Sequence, residues 1–103
     1  MATKGIGTEF KIKVQMEPIE GFALKDLDFT AAVHTDRYGK RKDYSKEECI
    51  KIDDDTYAVP VNTADIGPGK YFITVTVYIP DTHFVDGTRK DVSVFPIGVE
   101  ILP

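Results

Sequence analysis

Asp53, Asp54 and Asp55 stand in a row, the densest set of hard oxygen ligands in the chain. With Asp81 or Asp86 brought across a fold, they could offer oxygens to calcium, which takes about six to eight of them in a formed cage. Consecutive residues of an extended chain point to alternating sides, so three neighbours do not converge on one ion, and a solvated turn is the expected reading. His34 and His83, the only imidazoles, lack Cys, His or Glu at ligand spacing, which argues against a metal site. Cys49 with either imidazole would make a thiol nucleophile and base, yet Glu47 and Glu48 beside it raise a thiol pKa rather than lower it. No glycine-rich phosphate loop precedes a helix and no serine sits in a nucleophile elbow. The expectation is a protein without catalysis, metal or other cofactor.

Charge and composition narrow the classes further. The net charge is −4, with both signs interleaved. The only basic cluster, Arg37, Lys40, Arg41 and Lys42, lies beside a turn and reads as solvated loop charge rather than a nucleic-acid footprint. The single cysteine cannot form an internal bridge. Met1 to Gly5 lacks the apolar core of a signal peptide, and no segment has the run of apolar residues that spans a membrane. Synthesis in the cytoplasm is expected, with export only as part of a virion-like particle. The 103 residues suit one domain, long enough to bury about two thirds of its unfolded surface without disulfides or metal.

The elements that must position any site are strands. Residues 1–8 are small and polar and read as a flexible arm ahead of a single domain over 9–103. Phe10, Ile12, Val14 and Met16 alternate with Lys11, Lys13 and Gln15, and Leu27, Phe29, Ala31 and Val33 alternate with polar or small residues, each a half-buried strand. Asp36 to Lys40 reads as a turn. From Arg41 to Ile52 a short edge strand is favoured over a short helix, although Ser45 and Glu48 have capping-box spacing. Thr56 to Asn62 returns as a strand whose Pro60 places it at an edge or a bulge. Lys70 to Ile79 carries Tyr71, Ile73, Val75, Val77 and Ile79 on one face and Phe72, Thr74, Thr76 and Tyr78 on the other, and should be central. The last strand, Asp91 to Ile101, carries Val92, Val94, Val99 and Ile101, with Pro96 and Gly98 predicting a bulge or a change of partner. Six or seven strands at this spacing, without a convincing helix, give an all-β antiparallel sandwich.

Two resemblances refine that class. Ile66-Gly67-Pro68-Gly69-Lys70-Tyr71 resembles the Leu-x-Pro-Gly-x-Tyr pattern of bacterial immunoglobulin-like modules. The likeness implies an immunoglobulin-like or fibronectin-like fold. It also implies a tyrosine corner in which the Tyr71 hydroxyl bonds backbone near Thr63 to Ile66. The whole layout is similar to small proteins of Bacteroidales phages, prophages and mobile elements. It shares with them the Glu9-Phe10-Lys11-Ile12-Lys13-Val14 strand, the Gly-Pro-Gly corner, and the run Tyr78-Ile79-Pro80-Asp81-Thr82-His83-Phe84-Val85-Asp86-Gly87-Thr88-Arg89. That layout resembles the N-terminal domain of phage baseplate upper proteins, which implies a tail or baseplate role.

The run itself has a physical reading. Pro80 ends a strand, Asp81 caps turn donors, Phe84 tucks under the loop, Asp86-Gly87 turns, and Arg89 pairs with Asp81 or Asp86. The expected function is therefore a non-enzymatic structural or adaptor protein. It would work through protein contacts at strand edges and at Phe72, Tyr78, Phe84 and Arg89, with another copy of itself or another particle component as partner. The alternative is a carbohydrate- or cell-surface-binding module, for which Tyr38, Tyr44, His83 and Phe84 supply aromatics but only Asn62 and Gln15 supply amides. A calcium-stabilised adhesion repeat is the third reading.

Overall fold

The computed structural model describes residues 2–35 and 40–103. Of the turn expected over Asp36 to Lys40, residues 36–39, with Arg37 and Tyr38 among them, lie outside the described residues. Among the described residues eight strands form two sheets: β1 (Ala2–Gly5), β2 (Glu9–Gln15), β3 (Asp28–Thr35), β4 (Arg41–Ser45), β5 (Ile50–Asp53), β6 (Thr56–Asn62), β7 (Gly69–Pro80) and β8 (Thr88–Leu102). The larger sheet has the order β1-β8-β7-β3-β4 and the smaller the order β2-β6-β5. The protein is an all-β sandwich.

The core forms where the two inner faces meet. In β7, Tyr71, Ile73, Val75, Val77 and Ile79 are all buried, as alternation in a central strand requires. Phe29 and Val33 of β3 and Val59 of β6 are wholly buried between the sheets, and Phe29 meets the Tyr57 ring edge-on at 5.1 Å. From β2 onward, every crossing from one sheet to the other carries a 3-10 turn: Leu24–Asp26, Lys46–Glu48 and Thr63–Asp65. These turns satisfy backbone groups that leave one ladder before joining the next. At the middle one, the Glu48 carboxylate accepts from the Ser45 amide and hydroxyl at 3.0 and 3.1 Å, the back half of the capping box. The segment from Arg41 to Ile52 is thus two edge strands around one turn. The Lys46 ammonium reaches back to donate to the carbonyls of Lys25 and Leu27, tying two crossings together.

Two details depart from the sequence reading and one follows it. Ala2–Gly5, inside the segment read as an arm, pairs in parallel with Val99–Leu102 as β1. Pro60 lies in β6, the middle strand of its sheet, and not in an edge strand. It is tolerated because β5 pairs no further along β6 than Ala58, so β6 has an open side at Pro60. In β8, of the expected bulge or change of partner, the bulge occurs, and β7 remains the partner on both sides of it. Between Lys70↔Glu100 and Phe72↔Pro96 the register shifts, with Gly98 at φ 80, and β1 joins just beyond. A left-handed backbone there suits glycine, and because β8 gains two residues over β7 the alternation of faces continues unchanged through the bulge. Val92 and Val94 lie on the outer face, whereas Val99 and Ile101 pack on the core.

Candidate interaction surfaces

Two structural devices hold the ends of β7. At its start Gly67 and Gly69 both take positive φ around Pro68, a path that residues with a Cβ rarely follow. The Tyr71 hydroxyl donates to the Gly67 carbonyl at 2.6 Å and lies 3.4 Å from that of Thr63, so the bond falls one residue beyond the expected span, with Thr63 as second acceptor. Thr63 is the hub that sequence reasoning missed. Its side chain is fully buried, accepts from the Gly7 amide and donates to the Thr8 carbonyl, while its own carbonyl takes the amides of Ile66 and Gly67. Nothing in the sequence separates this threonine from the chain's others.

At the far end the Asp81–Gly87 loop is closed by the Asp81 amide donating to the Gly87 carbonyl, with Phe84 bonded to both residues through its backbone. Asp81 accepts from the His83 amide and from Arg89 Nη1 at 2.9 Å, and the other Arg89 nitrogen reaches Glu20 at 3.2 Å. Of the two carboxylates offered for Arg89, Asp81 is the one bound. Arg89 is therefore engaged inside the molecule rather than presented to a partner. Phe84 does not tuck beneath the loop: it is 49% exposed.

Most of the residues considered for metal or catalytic chemistry have local partners, although the buried Asp55 Oδ1 has no hydrogen-bond partner among the described residues. His34 has its Nδ1 3.1 Å from the Thr35 carbonyl, which can only accept, so Nδ1 carries a proton and Nε2 accepts from the Thr74 hydroxyl at 2.9 Å. Asp54 pairs with Lys25 and Lys51, which hold its carboxyl below the usual range, and Asp53 caps the Asp55 amide. His83 lies 3.6 Å from Asp81 on the surface. Asn62 uses its carbonyl oxygen to cap the Ala64 amide. Burial, then Glu48 and Glu47, push the Cys49 thiol up to about 11. The native chain should therefore react with an aromatic disulfide reagent at pH 8 about a hundredfold more slowly than the urea-unfolded chain. A folded pKa above the unfolded one adds stability that is complete below about pH 9 and lost as pH rises through about 11. Equal thiol rates in the two states would contradict the burial argument.

Besides Ile50 and Ile52 on β5 and Phe84 and Val85 in the loop, the exposed apolar side chains include Val92, Val94 and Phe95, close together on β8. Residues directly opposite in a ladder share a face. On the outer face of the larger sheet, Phe72 therefore lies between Pro96 and His34, Thr74 between Val94 and Ala32, and Thr76 between Val92 and Thr30. Phe72 stacks on the His34 ring at 6.1 Å, and Tyr78 stands at the end of the row beside Lys90 and Asp28. Val92 and Val94 are 57% and 58% exposed. Comparison with protein-family models, curated proteins and solved structures returned no match.

The inner face adds what the sequence reading did not single out. Phe95 is 52% exposed although it is paired with Ile73 and points toward the smaller sheet. Among the described residues β8 pairs with β7 alone until β1 joins at Val99, so the stretch from Thr88 to Gly98 is a free edge with apolar side chains on both faces. No helix among the described residues is long and apolar enough to cross a membrane.

Proposed function

We propose that this chain is a non-enzymatic, immunoglobulin-like assembly module, a small structural or adaptor protein that works through protein contacts. The strand order supports the fold reading. Lettered in the immunoglobulin manner, β2-β6-β5 is B-E-D, β8-β7-β3 is G-F-C, and β4 is the added C′ strand of variable-type domains. The Tyr71 corner stands at the E–F crossing, where such domains carry it. The resemblance of the layout to phage and prophage proteins supplies the setting, a tail- or baseplate-type particle.

One observation carries the functional reading: the free edge of β8 with Val92, Val94 and Phe95 exposed beside the half-buried Phe72. An open strand edge with apolar flanks is a template for another chain unless charge or a bulge blocks it. From Val92 to Ile97 this edge carries no charge; Pro96, which lacks a donor, is its one break. A second copy aligned antiparallel along β8 would extend the larger sheet across a two-fold axis. In a light-scattering concentration series the apparent mass should rise above the 11.5 kDa of one chain. Val94→Lys, at an exposed position, should keep the fold and abolish the rise. A strict monomer at the highest concentration would overturn self-assembly through this edge.

A further inference from the structure

On the side of the sandwich where β8 ends the larger sheet, β2 ends the smaller one. Between them lies an open cavity of about 360 Å³. Ile12 and Val14 of β2 form one wall, Ile73 and Val75 the floor, and Phe95 and Ile97 of β8 the other wall. The smaller sheet has three strands facing five, so the inner face of β8 has no strand above it. In the lettering above, a four-stranded A-B-E-D sheet would place its first strand here.

We infer that this groove accepts an extended segment of a different protein, added antiparallel to β2, in which apolar residues alternate with acidic ones. The apolar half follows from the floor. Every second residue of an added strand points inward beside Ile12 and Val14, onto Phe95 and Ile97. The acidic half follows from the rim. Lys11 and Lys13 are exposed on the outward face of β2, and their partners in β6 are the uncharged Pro60 and Ala58. Neither lysine takes part in any ion pair among the described residues. An added strand sets its outward residues directly across from these two ammonium groups, where carboxylates attract and lysines repel. The same rule disfavours a second copy in this groove. Antiparallel pairing of β2 with β2 about Ile12 places Lys11 opposite Lys13 of the other chain. The inference rests on the assembly-module reading but uses a different edge from the β8 contact.

The probe is a capped nine-residue peptide of alternating Val and Glu, titrated into the isotopically labelled full chain and followed by amide NMR. The Val/Lys counterpart is the control. Saturable shifts should appear along Glu9–Gln15 and at Phe95 and Ile97 with the glutamate peptide. The double substitution Lys11→Glu and Lys13→Glu, at exposed positions, should weaken it about tenfold and let the lysine peptide bind instead. Absence of saturable shifts, equal binding of both peptides, or indifference to the charge reversal would overturn the inference. So would protection of the β2 amides that grows with protein concentration alone, since a second copy would then fill the groove. The Val94→Lys series fails or succeeds separately, so loss of the peptide site leaves the β8 assembly reading intact.

Discussion

Phe29→Ala should destabilise the domain by about 3–5 kcal/mol, the largest single effect expected from an uncharged truncation here. Phe29 has no exposed surface and lies edge-on to Tyr57 of the opposite sheet, so it spans the gap that makes the structure a sandwich. Truncation removes the transfer term of a whole ring and leaves a cavity whose walls are two hydrogen-bonded sheets, poorly able to collapse. Against the roughly 5–15 kcal/mol of a typical domain this is a large share, and at about 4 °C per kcal/mol it lowers Tm by at least about 12 °C. Phe29→Leu, which keeps most of the volume, should cost under about 1.5 kcal/mol. Urea unfolding with an unchanged m value is the check. A loss below about 1 kcal/mol for Phe29→Ala would mean that the ring does not bridge the sheets.

Tyr71→Phe should cost about 1–3 kcal/mol although it deletes one atom. The Tyr71 side chain is buried, and its hydroxyl is a donor to the Gly67 carbonyl at 2.6 Å. Burial pushes the phenol above its ordinary pKa, so the donor proton is retained through the physiological range. Without it the corner loses the bond that fixes two glycines in positive φ, and β7 begins from a looser point. The variant should shift the urea midpoint and speed amide exchange at Ile66 and Gly67, while the slowest core amides of β3 and β7 exchange faster only by the global loss. An unchanged midpoint would show that the corner stands without its hydroxyl.

Legibility in the sequence followed burial. The alternation of β3 and β7 was plain because one face of each is fully sequestered, which forces a period of two on the residues. β1 left no such trace: all four of its residues are exposed, so no face selects their type, and only the pairing with β8 makes Ala2–Gly5 a strand. The bulge of β8 was signalled by Pro96 and Gly98, and the opposite faces of Val92 and Val94 and of Val99 and Ile101 were legible from their even and odd positions, because a two-residue bulge leaves the alternation intact. The half-buried Phe72, Thr74, Thr76 and Tyr78 row was legible as the face opposite the core. The groove beside β2 was not, because it depends on a mismatch in strand number between two sheets, and no local pattern encodes how many strands lie on the far side. Thr63 was invisible for a similar reason, as its partners Gly7 and Thr8 are distant in sequence.

The parallel contact of β1 with β8 joins Ala2 to Val99, close to the two ends of the numbered chain. Such a contact closes the largest loop this sequence can make, and its entropy must be spent before any reward is felt. Sandwiches rich in distant pairings form in milliseconds to seconds rather than microseconds. Until β8 is seated, the inner sides of β2 and β7 have no cover along this flank. The same apolar edge that offers a partner surface in the finished molecule is therefore a hazard while the chain is still searching, and the kinetics of that search decide how much of it reaches the native state.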